Sequence, residues 1–130
     1  MPEFALNAVC RAPVEEVWKL LFDPARFPEW WAGIETVRQD APGEITLWRA
    51  GYPHIPLPQA MRVDEVSERV TISCQVEDID FVWQLAEAGA GTSINVNVTL
   101  PERNARRLDR QHQVISESLR RLTTLAEASS

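Results

Sequence analysis

Ala12-Pro13-Val14-Glu15-Glu16-Val17-Trp18 decides the fold, together with Asp23-Pro24 and Pro28-Glu29-Trp30-Trp31 close behind it. Pro13 carries the φ that a helix requires, and its missing N–H falls where a helix has no partner for one. Glu15 and Glu16 complement the positive end of the helix dipole. Val14, Val17, Trp18 and Leu21 recur at helical spacing and predict one apolar face. Asp23-Pro24 ends this helix and starts a second, short one. Pro28 breaks the second helix ahead of Trp30 and Trp31. Upstream, Phe4 to Arg11 alternates loosely and predicts a first strand.

After Gly33 the period changes from helical to two. Ile34 to Gln39 reads as a strand, Ala41-Pro42-Gly43 as a turn, and Glu44 to Ala50 as the next strand. Gly51 to Pro58 contains three prolines, which exclude a central strand and predict a loop over the sheet edge. Extended structure resumes from Gln59 to Val66. Val70, Ile72, Cys74 and Val76 then face one way, with Thr71, Ser73, Gln75 and Glu77 facing the other. Asp78 to Asp80 reads as an acidic turn, not as a catalytic carboxylate pair. Phe81, Trp83 and Leu85 continue the alternation to a hairpin loop at Ala88-Gly89-Ala90-Gly91. Ile94, Val96, Val98 and Leu100 alternate with Ser93, Asn95, Asn97 and Thr99. Such one-sided alternation predicts an antiparallel sheet with one wet face. Pro101 ends the sheet. Glu102 to Ala126 reads as a long helix with Leu108, His112, Ile115, Leu119, Leu122 and Ala126 on one stripe. The predicted class is α+β: residues 1–130 as one domain, with about seven antiparallel strands curved around the C-terminal helix.

The totals narrow the function. A chain of 130 residues with 45% hydrophobic content supports one core and a cavity beside it. A net charge of −6 argues against non-specific nucleic-acid binding, which needs a basic face. No apolar run approaches the roughly 20 residues that span a membrane. The N-terminus shows no basic segment followed by an apolar one, so a cytoplasmic location is expected. Cys10 and Cys74 belong to no CxxC or Cys/His cluster. Free buried thiols are expected, with a disulfide left open because both fall in predicted strands. His54 and His112 have no acidic partner at ligand spacing, which speaks against a metal site. No nucleophile elbow, P-loop or dinucleotide fingerprint is present, and no cofactor is expected.

Three features together resemble the START-like (SRPBCC) superfamily of polyketide cyclases/dehydrases, lipid-transfer domains and Bet v 1 relatives. They are the Ala-Pro-x-x-x-Val-Trp entry at Ala12 to Trp18, Asp23-Pro24 followed by Trp30-Trp31, and Gly91-Thr92 ahead of an alternating strand. The resemblance implies a helix-grip fold with an apolar cavity between sheet and long helix. It implies a small hydrophobic ligand, aromatic, polyketide or lipid-like. The alternatives it brings are a cofactor-independent aromatase/cyclase performing aldol condensation and dehydration, and a protein-binding module like the superfamily's co-chaperone branch.

The residues then sort by expected role. His112 lies on the helix stripe and is expected to face the groove, where an imidazole titrates near neutral pH. Arg49 and Arg62 lie within strands, and an inward arginine would bind a carboxylate or polarise a carbonyl. Arg49 is preferred, because it shares a side with Ile45 and Leu47. Tyr52 would donate to a ligand oxygen. Trp30, Trp31, Trp48 and Trp83 are candidates for the cavity wall, completed by Met61, Ile115 and Leu119, whereas Trp18 belongs to the first helix's packed face. His54 reads as a plain loop residue. Arg103, Arg106, Arg107 and Arg110 form a basic patch where the helix dipole disfavours it, read as a solvated face or a site for an anionic partner.

Overall fold

The computed structural model describes residues 2–129. Seven strands form one antiparallel sheet: β1 (Glu3–Cys10), β2 (Ile34–Ala41), β3 (Glu44–Arg49), β4 (Leu57–Asp64), β5 (Arg69–Cys74), β6 (Asp80–Ala88) and β7 (Gly91–Thr99). Their order in the sheet is β1-β7-β6-β5-β4-β3-β2. From β2 onward the chain is therefore a meander, closed by β7 pairing back onto β1. The crossing from β1 to β2, at opposite edges, carries α1 (Val14–Phe22), a 3-10 turn (Pro24–Arg26) and α2 (Phe27–Trp30). The final helix α3 (Leu108–Ser129) packs on β1, α1 and α2. This is the α+β helix-grip architecture that the alternation predicts.

The core follows from the pleat. Inward positions of β5, β6 and β7 (Val70, Ile72, Phe81, Trp83, Leu85, Ile94, Val96 and Val98) are all buried. They meet Val17, Leu20 and Leu21 of α1 and Ile115, Leu119, Leu122 and Ala126 of α3 in one cluster. Trp30 stands at its centre. It is fully buried, its Nε1 donates to the Leu20 carbonyl at 2.8 Å, and its ring meets Trp83 edge-on.

Several boundaries differ from expectation for identifiable reasons. Pro28 opens α2 in its first turn instead of breaking it, as proline does where no N–H is needed. Strand β4 begins at Leu57 and takes in Pro58 near its start, where proline is tolerated. It stops at Asp64, whose carboxylate accepts from the Ser67 N–H and hydroxyl and closes the turn. Leu20, not Trp18, joins Val14, Val17 and Leu21 on the buried face of α1, and Trp18 stacks on Phe22. Cys10 and Cys74 are buried and free, on strands separated by β7 and β6. Burial pushes the Cys10 thiol above its ordinary value.

Two of the signature stretches meet in space. Thr92 Oγ1 donates to the Ala12 carbonyl at 2.8 Å, directly ahead of the proline that starts α1. Gly91, beside it, lies against the Cys10 carbonyl. Both features act on the fold: they fasten the start of β7 to the point where β1 gives way to helix.

Several surface carboxylates bear on stability in acid. Asp40 is held below the usual range by the Thr46 hydroxyl and Arg38, and Asp64 by the Ser67 N–H and hydroxyl. Glu29 is lowered by Arg26, and Glu117 by Arg120. A depressed folded-state value means that the unfolded chain binds more protons near pH 4. These groups therefore contribute stability above about pH 4–5 that disappears as pH falls through their folded-state values. Thermal unfolding should show a flat midpoint from about pH 7 to 5 and a falling one below about pH 4. A midpoint that rises on acidification would contradict the assignment.

Candidate functional site

A cavity of about 490 Å³ opens between the β2–β6 part of the sheet and the start of the final helix. Its apolar lining is Trp31, Ile34, Leu47, Leu57, Phe81 and Val114. Trp31 is fixed by its neighbours. Its ring stacks on Trp30 at 5.9 Å and meets Phe81 edge-on at 5.2 Å. The following residue, Ala32, donates its N–H to Ser118 Oγ at 2.9 Å, tying this segment to α3. The loop between β3 and β4 brings Tyr52 and Ile55 to the mouth, both more than half exposed.

The cavity's polar lining is built around Glu77. Its side chain is only 10% exposed and lies between two arginines. Arg49 Nη2 donates to Oε1 at 2.6 Å, and Arg107 Nη1 donates to Oε2. Asn104 Nδ2 donates to the Glu77 carbonyl at 2.8 Å, and Arg103 pairs with Asp78. The β5–β6 turn is thus clamped onto the segment Glu102–Arg107, which forms a 3-10 turn with non-helical angles at Asn104. The apolar stripe predicts a continuous helix from Glu102. The Asn104 contact accompanies a break at that point, and α3 starts only at Leu108.

Glu77 is the residue that sequence reasoning missed. Strand alternation places it outward with Gln75, but β5 ends at Cys74 and the alternation ends with it. The chain turns with Asp78 N–H bonded to the Cys74 carbonyl and Asp78 at φ 54°. This swings Val76 out into solvent and Glu77 inward. Arg107, Arg110, Gln111 and Val114 follow at helical spacing and all line the cavity. The basic patch is therefore divided: Arg103 and Arg107 are paired, and Arg107 and Arg110 face the cavity.

Of the predicted site residues, the cavity brings together Arg49, Tyr52 and Trp31. His112 is not among them. It is exposed at the margin of α3, its ring 5.1 Å from Phe4 of β1. Gln111 takes the inward slot instead, since both stand one turn before Ile115. Trp30, Trp83 and Ile115 are fully buried core residues. Met61 is buried on the inner face of β4, and Leu119 borders a shallow depression beside β1. Trp48 lies on the outer face, with the Arg38 guanidinium 5.2 Å from its ring centre. Arg62 is exposed opposite Thr71. Among the described residues, no group of three or more His, Cys, Asp or Glu is placed to hold a metal ion.

A curved sheet gripping a C-terminal helix with a partly apolar cavity between them defines the helix-grip class. The sequence matches the family described as "Polyketide cyclase / dehydrase and lipid transport" over residues 10–110, and the chain belongs to that family. No curated protein matches it. Solved structures share its fold at low identity. XoxI from Bacillus cereus is 17% identical, with a TM-score of 0.78 over 95% of this chain and 94% of that one. The di-domain ARO/CYC BexL from the BE-7585A biosynthetic pathway is 17% identical with a TM-score of 0.81, and covers 98% of this chain. This chain spans 47% of that di-domain protein. TTHA0849 from Thermus thermophilus is 16% identical, with a TM-score of 0.75 over 99% of both chains.

Proposed function

We propose that the protein binds a small, largely apolar molecule in the cavity between its sheet and α3. The observation that carries this is the cavity itself: about 490 Å³, lined by Trp31 and Phe81 together with the Arg49–Glu77–Arg107 cluster. A pocket of this size, apolar with a few convergent polar groups, is the common form of a small-molecule site. The family's own description, which includes lipid transport, supports the same reading. The Trp31 wall supplies area, and the charged cluster supplies orientation.

N-phenyl-1-naphthylamine, a neutral fluorescent probe, should bind with enhanced emission. Val114→Glu sets a carboxylate on the cavity wall at a partly exposed helix position and should weaken the probe about tenfold or more. A probe that does not bind, or one indifferent to Val114→Glu, contradicts the reading.

Catalysis on the bound molecule is the second reading, favoured by Arg49 and Tyr52 standing on one cavity. Here the protein acts as a cofactor-independent cyclase on a poly-β-keto chain. Arg49 polarises a carbonyl, Tyr52 moves a proton, and holding the chain folded supplies most of the acceleration. His112 has no part in it. Arg49→Ala and Tyr52→Phe should each change the product profile, and unchanged products would exclude this reading.

A further inference from the structure

The charged groups that line the cavity are Arg49, Arg107, Arg110 and Glu77. Among the described residues Glu77 is the one carboxylate there, and it is already shared by Arg49 and Arg107. Arg110 has no hydrogen-bond or ion-pair partner among the described residues. Arg107 also keeps a buried Nε without an acceptor, so this guanidinium is short of hydrogen bonds. The cavity is thus lined by an excess of two positive charges in a chain whose net charge is −6. Positive groups gathered in one cleft of an acidic chain favour an anion there.

We infer that the cavity selects an acid: a molecule with an apolar body and a carboxylate, whose charge is met by Arg110 with support from Arg107. This rests on the reading that the cavity binds a small apolar molecule, and goes beyond it by fixing the ligand's charge. The placement fits. Arg107, Arg110 and Gln111 come from the 3-10 turn and α3, while Leu47 and Phe81 come from the sheet and Trp31 packs edge-on against Phe81. An aromatic acid would set its rings against the second group and its carboxylate against the first. Guanidinium and carboxylate match as planar, two-pronged partners.

Calorimetric titration with 2-naphthoate and with its neutral methyl ester separates the two claims. The acid should bind about tenfold more tightly than the ester at low salt. Salt of about 0.5 M should narrow the gap, because Arg110 is exposed and its charge is screened. Arg110→Gln, a change at an exposed position, should weaken the acid about tenfold and bring acid and ester close to parity. Equal binding of acid and ester by the unaltered protein overturns the inference and leaves the cavity reading standing. A preference for the acid that survives Arg110→Gln overturns the role of Arg110. Failure of both compounds to bind counts against the inference and the cavity reading together.

Discussion

Replacing Trp30 by alanine should lower the unfolding free energy by about 3–5 kcal/mol. The side chain is fully buried, so the substitution leaves a void that backbone elements on several sides cannot close. Its ring contacts Phe27, Trp31 and Trp83, and all three contacts go at once. The Leu20 carbonyl also loses the indole donor at 2.8 Å, in a place where water replaces it poorly. Trp30→Phe separates these causes. It keeps an aromatic ring and removes the donor, so it should cost clearly less than alanine. Urea denaturation reads both as a shift of midpoint at constant m-value. A loss under about 1 kcal/mol for Trp30→Ala would mean that the aromatic cluster is not the centre of the core. The effect extends to the cavity, because Trp30 is the surface on which Trp31 stacks.

Gly91→Ala should also destabilise the fold, by a different route. A methyl group there would stand 2.0 Å from the Cys10 carbonyl oxygen and 3.2 Å from Arg11 Cα. Both neighbours are backbone, so no side chain can swing away, and β7 must part from the end of β1. Forced overpacking of this kind costs about 1–3 kcal/mol and sometimes more. The shift would also strain the Thr92 hydroxyl bond to the Ala12 carbonyl next door. Thr92→Val, which keeps the shape and removes the donor, should cost about 1 kcal/mol. Gly91→Ala with an unchanged unfolding midpoint would contradict the close approach of the two strands.

The architecture is legible in the sequence because its dominant signal is local. Alternation in Val70–Cys74, Phe81–Leu85 and Ile94–Leu100 marks one buried face, and the pleat leaves no other way to bury it. The same rule fails at its edges. It sets Glu77 outward when carried past Cys74, where the strand becomes a turn. A turn that packs against a segment thirty residues later leaves no periodic trace. On α3 the error is angular: His112 and Gln111 each lie one turn before Ile115, and hydropathy does not choose between two polar residues. The tryptophans show the limit of composition. All five are apolar enough for a cavity wall, yet Trp30 and Trp83 are core, Trp48 lies outside beside Arg38, and Trp31 alone lines the cavity. Arg49 is legible because its side of β3 is shared with Ile45 and Leu47, both buried. Arg107, which shares the Glu77 carboxylate with it, becomes visible only when the β5–β6 turn and the final helix come together.

The five indole N–H groups offer the most direct test of the central claim, because they are spread over the core, the cavity wall and the outer face. The measurement is a proton–nitrogen correlation spectrum of uniformly nitrogen-labelled protein, titrated with N-phenyl-1-naphthylamine. If the cavity is the binding site, the Trp31 indole signal shifts most, together with backbone signals of Gln111 and Val114. The signals of Trp18 and Trp48, which lie away from the cavity, should stay in place. Shifts centred on Trp48 and the outer face of the sheet, with Trp31 unmoved, would contradict the account.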